Sequence, residues 1–245
     1  MGVSLSCGVG ARTDSHYLRA VSKLLVNPVF NALSGRDSHL GTGTEKVKYF
    51  YEEVSPFASF EEGYEKGFED LYEMLPAKRG VLLNNPEKIK IPAYWKVLLD
   101  IEGVQMIHTK RVPYEYTNVN IVPLTKENVP EMVALAQLTK PGPFASRTIE
   151  FGYYHGIFEN GRLAAMTGQR MHVDRFSEVS AVCTHPDFLG KGYATALTQH
   201  QVNLIYEQGY QPFLHVRADN VRAIQVYKRL GFIISRPMNF YFLRK

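Results

Sequence analysis

The sequence predicts an α+β fold with α/β character. A mixed central sheet with flanking helices is expected in a C-terminal domain, residues 118–245, after a smaller α/β N-terminal domain, residues 1–117. Three observations carry this. From Asn118 onwards, strand-like and helix-like stretches alternate between glycine- and proline-rich turns. One of those transitions, "EVSAVCTHPDFLGKGYATAL", runs from strand through a glycine loop into a helix. The chain has 245 residues, 45% hydrophobic and 21% charged, the composition of a folded protein with a sizeable core.

In the first half, "LLVNPVFNALSG" is apolar, "FEEGYEKGFEDLYEML" has the spacing of an amphipathic helix, and "KRGVLLNN" and "VQMIHTK" read as short strands. "GTGTEK" is glycine-rich but lacks the Lys-Ser/Thr ending of a P-loop, so a surface loop is expected. In the second half, "VNIVPL" reads as a strand. "NVPEMVALAQL" reads as a helix, with Asn128 as its cap, Pro130 in the first turn and Glu131 at capping-box spacing. "SRTIEFGYY" reads as a short helix, and Asn160-Gly161 predicts a hairpin turn. "EVSAVCTHP" is the next strand, "GYATALTQHQVNLIYEQG" a helix whose apolar stripe is interrupted by Gln201, and "PFLHVRA" a strand. "NVRAIQVYKRLG" is a helix closed by Gly231, and "FIISRPMNFYFLRK" a final pair of strands.

Several function classes are excluded at this stage. No apolar run approaches the roughly 18–20 residues of a membrane span, and the N-terminus has no secretory pattern. Cys7 and Cys183 cannot build a disulfide framework, which predicts a reducing, cytoplasmic setting. "MGVSLS" fits the short myristoylation pattern, with Cys7 as a second acylation position, but an unanchored chain is the working expectation. The formal charge is +4, yet the stretch from His185 to the end holds eight Lys/Arg against three acids. A basic C-terminal quarter suits an anionic partner or is simply a solvated face. No basic block interleaved with aromatics points to nucleic acid, and the eight histidines show no metal-ligand spacing.

The glycine loop raises the chemical question. The first turn of a helix carries backbone N–H groups without internal partners, at the positive end of the helix dipole. Glycines on the approach let a ligand come close, so Gly190, Lys191 and Gly192 ahead of Tyr193, Ala194 and Thr195 form either a phosphate site or a plain tight turn. Neither the G-x-G-x-x-G pattern nor the P-loop is met.

"EVSAVCTHPDFLGKGYATAL" followed by "FLHVRADNVRAIQVYKRLGF" resembles the acetyl-CoA-binding core of the GNAT N-acetyltransferase superfamily. That family's loop reads Gln/Arg-x-x-Gly-x-Gly/Ala. The matching residues are Leu189 to Ala194, with Leu189 where Gln or Arg is usual, which implies fewer pyrophosphate contacts. Asn220, Ala223, Tyr227, Gly231 and Phe232 match the family's next helix. The resemblance spans roughly residues 118–245 and implies a GNAT-type fold there. Through "NPVFNALSG", "LTKPGPF" and "SAVCTHP" the whole chain further resembles an uncharacterised branch related to glycine N-acyltransferases.

Acetyl transfer to an amine needs a base for the ammonium, a donor for the oxyanion and an acid for the departing thiolate. Glu178, fourteen residues before Gly192, resembles the family's catalytic glutamate; alternation places it with Ser180, Val182 and Thr184 on one face and Val179, Ala181 and Cys183 on the other. Burial is expected to raise its pKa, and a water chain is the other route. The resemblance makes Tyr227 the general acid. It brings the backbone of Val182, Cys183 and Thr184 to the pantetheine arm and acetyl carbonyl. Asn220 is either a pantetheine contact or a helix cap, and Cys183 reads as an inert buried thiol. The implied function is acetyl transfer from acetyl-CoA, with no metal, to a small-molecule or peptide amine near "TKPGPFASR", where Arg147 would suit an acidic acceptor. The alternative is a non-catalytic CoA-binding module. No membrane or nucleic-acid partner is expected, and the oligomeric state stays open.

Overall fold

The computed structural model describes residues 23–109 and 119–245. Cys7, the "MGVSLS" pattern and the 117/118 boundary lie outside the described residues.

The chain opens with α1 (Pro28–Leu33), then β1 (Gly41–Gly43), β2 (Val47–Phe50), β3 (Ala58–Phe60) and α2 (Gly67–Met74). Next come β4 (Gly80–Asn85), β5 (Lys96–His108), β6 (Val122–Pro123) and α3 (Val129–Thr139). The remaining elements are β7 (His155–Glu159), β8 (Arg162–Val173), β9 (Phe176–Thr184), α4 (Tyr193–Glu207), β10 (Gln211–Arg217), α5 (Val221–Arg229) and β11 (Phe232–Arg244). β1, β2 and β3 form a small sheet, and the other strands form one sheet ordered β4-β11-β5-β10-β9-β8-β7-β6. Between neighbouring strands of the large sheet only β9 and β10 run parallel. β5 sits between β10 and β11, so the sheet runs across the boundary expected from sequence.

One face of the sheet packs on α1 and α3 through Val29, Ala32, Met132, Leu135, Met166 and Phe176. The opposite face packs on α4 and α5 through Val179, Val202, Ile205, Leu214, Leu230 and Phe232. Each buried Val, Ile, Leu, Met or Phe among them contributes about 1.5–3 kcal/mol.

Local chemistry explains where elements begin and end. Asn160 (φ 51°) and Gly161 (φ 75°) form the two-residue turn between β7 and β8, both in the left-handed region that the strand twist favours. "GTGTEK" is not a loop: it supplies β1 and the turn into β2, and a Cβ on Gly43 would run into the Val47 carbonyl. The helix expected from Phe60 is confined to α2, because Phe60 ends β3 and its ring occupies the space beside Gly67. Asn128 does not cap α3. Its Oδ1 accepts from the Thr125 N–H (2.9 Å), and Thr125 caps a short 3-10 turn leading into the helix. The stretch "SRTIEFGYY" forms only a 3-10 turn at Thr148–Phe151. "FIISRPMNFYFLRK" is one strand with a bulge between Ile234 and Arg236, so Pro237 does not split it. Gln201, which interrupts the α4 stripe, is buried and donates to the Tyr153 carbonyl (2.6 Å).

Candidate acyl-CoA site at a strand fork

β9 and β10 pair only at Phe176–Gln211, Ser177–Pro212 and Glu178–Phe213, then diverge while β9 continues to Thr184 and β10 to Arg217. Among the described residues the edge of β9 from Val179 to Thr184 therefore faces a fork with no strand partner across it. Two bulges shape this region. Gly168 pairs with Ser180 and Met166 with Cys183, so Thr167 opposes both Ala181 and Val182, and Ala181 takes φ 54°. The extra residue resets the alternation. Val179 and Val182 both pack towards α4 and α5, whereas Ala181 and Cys183 face α1 and α3. The expected grouping of Glu178 with Val182 and Thr184 is thereby overturned.

At the rim of the fork lies the glycine loop. A 3-10 turn, Pro186–Phe188, delivers Leu189, which is 58% exposed. Gly190 (φ 83°) and Gly192 (φ 79°) are left-handed, and Gly192 is the N-cap of α4. Among the described residues a Cβ at either glycine would meet no atom within 4 Å, so they leave the space over the loop open while its backbone demands glycine. Among the described residues no side chain caps the first turn of α4, whose N–H groups at Tyr193, Ala194 and Thr195 begin a fifteen-residue helix. Lys191 is not a lone charge. Its Nζ lies 3.2 Å from Glu159 Oε1, which also accepts from the Tyr193 hydroxyl. The Tyr193 ring is buried with Ile157, Phe188 and Leu197, so its side chain anchors the loop.

On the far side of the fork, Asn220 Oδ1 accepts from the Ala223 N–H (3.1 Å), the helix-cap alternative of the sequence reading. Ala223 and Tyr227 face inward, half-buried, and Tyr227 packs against Phe232. Burial, with Cys183 nearby, pushes the Tyr227 phenol up to about 12. Burial also pushes the Cys183 thiol up to about 11, the condition of an inert thiol. Thr184 Oγ1 is buried without a hydrogen-bond partner among the described residues.

The base of the fork holds a network that sequence reasoning missed. Arg170 grips Glu178 with two hydrogen bonds, Nε at 2.9 Å and Nη2 at 3.0 Å. The His215 Nδ1–H donates to Glu178 Oε1 at 2.8 Å, linking β9 to β10 where they part. Gln105 of β5 donates to His215 Nε2 (3.1 Å) and to the Leu25 carbonyl (2.9 Å). Glu178 is 1% exposed. Burial by itself would raise its pKa, but the Arg170 and His215 partners overcome that and hold it at about 2, opposite to the expected direction. Such a carboxylate is a poor proton acceptor. Arg147, expected to favour an acidic acceptor, is instead held by Glu150 in a two-point pair. A depression of about 240 Å³ beside it in sequence is lined by Ala136, Gln137, Lys140, Gly142 and Phe144. Among the described residues no cluster of three metal-binding side chains exists, and no helix is long and apolar enough to cross a membrane.

The fork, the bulge and the glycine loop fall inside residues 154–241, which match the family model described as FR47-like protein. A crystal structure of a GNAT-family protein from Novosphingobium aromaticivorans DSM 12444 is 36% identical, covering 91% of this chain and 98% of that one with a TM-score of 0.84. A GCN5-related N-acetyltransferase from Kribbella flavida shares the fold at 13% identity and a TM-score of 0.60, covering 97% of this chain and 96% of that one. Among curated proteins, the ribosomal protein bS18 alanine N-acetyltransferase of Escherichia coli K12 is 30% identical over 90 residues, 36% of this chain and 60% of that protein. The mycothiol acetyltransferase of Corynebacterium jeikeium is 40% identical over 60 residues, 24% of this chain and 17% of that protein. The chain thus spans less than two thirds of the curated relatives it matches. The motifs, the forked sheet and the near full-length 36% match together make this chain a member of the GNAT acetyltransferase family.

Proposed function

We propose that this protein transfers an acetyl group from acetyl-CoA directly to a primary amine of a small molecule or peptide. The observation that carries the reading is the fork between β9 and β10, opening beside the uncapped end of α4. The backbone edge of Val182, Cys183 and Thr184 takes the pantetheine arm, with Asn220 and Ala223 on the facing helix. Leu189, Gly190, Lys191, Gly192 and the N–H groups of Tyr193, Ala194 and Thr195 take the pyrophosphate, with Leu189 bringing fewer contacts than a Gln or Arg would. Tyr227, protonated at neutral pH, gives a proton to the departing thiolate. Since Glu178 is locked by Arg170 and His215, the ammonium loses its proton to water, and Glu178 acts as a strut holding the fork open at its base.

The same lock on Glu178, with the apolar Leu189 in the loop, favours a second reading: a CoA-binding module without turnover. Isothermal titration with acetyl-CoA, CoA and ATP tests the shared part. Binding of both CoA species but not ATP, abolished by Gly192→Glu, is expected. Binding of neither ends both readings. Thiol release with a panel of amines then separates enzyme from module.

A further inference from the structure

Tyr154 directly precedes β7 and is 2% exposed. Its ring lies flat on Gly168 of β8, where a Cβ would collide with ring atoms as far out as Cζ, so the hydroxyl end sits over that strand. Phe144 holds the ring edge-on from the other side, centroids 5.7 Å apart. Gly168 pairs with Ser180, the last residue before the bulge in β9, and Tyr154 shares a cluster with Ala181 and Cys183. Tyr154 therefore lies beside the step in β9 on the α1/α3 face, while Tyr227 lies on the α4/α5 face. Both phenols feel Cys183 between them.

The Tyr154 Oη is buried and has no hydrogen-bond partner among the described residues. Arg170 and Glu178 lie within electrostatic reach but hold each other and His215. Buried polar groups are nearly always paired, because leaving one unpaired costs as much as the hydrogen bond it forgoes. A buried, uncharged phenol with a spare donor beside the bulge lacks one thing, an acceptor oxygen.

We propose that the Tyr154 hydroxyl donates a hydrogen bond to the carbonyl oxygen of the acyl thioester and keeps it as that oxygen becomes the oxyanion. The amine nitrogen attacks the carbonyl carbon, and the C=O π pair moves onto the oxygen facing Tyr154. Collapse restores the C=O bond and breaks the C–S bond. The nitrogen's proton goes to water and the thiolate takes one from Tyr227, which solvent replenishes; Tyr154 keeps its own proton throughout. The assignment rests on the acyl-CoA reading above.

The test uses the full chain and two probes, acetyl-CoA and CoA, titrated into the unmodified protein and Tyr154→Phe. CoA affinity is expected to stay unchanged while acetyl-CoA affinity falls about fivefold, the effect of one neutral hydrogen bond. Thermal unfolding should show a midpoint equal to or above that of the parent, since no internal hydrogen bond is lost. Unchanged acetyl-CoA affinity, equal weakening of both ligands, or a destabilised variant each overturns the Tyr154 assignment alone. A parent protein that binds neither ligand overturns the acyl-CoA reading with it.

Discussion

The rim and the base of the fork are built on opposite principles. The rim is backbone: two left-handed glycines, a free helix end and open space above them. The base is side chain: Arg170, Glu178, His215 and Gln105, buried and joined in a chain of hydrogen bonds. An open rim offers backbone groups that never titrate, whereas a closed charge network fixes geometry and offers little for chemistry. Burying an ion pair rarely adds stability by itself, but removing one partner strands the other.

That contrast predicts a ranking of effects. Glu178→Ala strands the Arg170 guanidinium and should cost about 3–5 kcal/mol, read from denaturant unfolding. If Glu178 were an idle surface base, the loss would be negligible. Acid titration of stability sharpens the point. The carboxylate is held at about 2 in the fold, below the usual carboxylate value near 4.3. Its contribution is thus present above that ordinary value and lost as pH falls from there towards 2. The parent should lose stability through that window with a steeper slope than Glu178→Ala.

At the rim, Gly192→Glu sets a carboxylate and a left-handed non-glycine residue where a diphosphate is expected. CoA affinity should fall at least a hundredfold by titration calorimetry, with about 1–2 kcal/mol of backbone strain visible on unfolding. Tyr227→Phe should lower turnover about 10- to 100-fold with CoA affinity intact. Because its phenol sits at about 12, the parent's rate should show no descending limb from this group between pH 7 and 10. The smallest effect belongs to Leu189→Arg, which restores the usual residue of the loop. Affinity for CoA should rise about threefold at low salt and shrink towards parity at high salt.

The rim was legible because its signals are local. Gly190 and Gly192 flank a single residue, Lys191, and a helix start needs only a few neighbouring residues to be recognised. The base was not, because it joins partners brought together by pairing. Glu178 could be noticed alone, but Arg170 meets it only across the β8–β9 turn, at Asp174 (φ 47°) and Arg175, which carries no glycine signal. His215 and Gln105 lie 110 residues apart. Strand alternation failed at Ala181 for a related reason: a bulge depends on how the partner strand is laid out, not on the bulged residue itself. Tyr154 went unnoticed because an orphan hydroxyl is defined by what surrounds it, which only the packed structure supplies.

The placement of β5 also sets the order in which the protein can be made. β5 ends at His108, yet both strands that flank it, β10 and β11, begin at Gln211 and Phe232, roughly 100 residues or more later in synthesis. Until then its apolar residues Met106 and Ile107 have no sheet to join. Closing that long loop is entropically costly and slow. Over the roughly 100 residues between His108 and Gln211 the nascent chain therefore carries an unpaired strand edge, which makes the upstream half the part in greatest need of a chaperone.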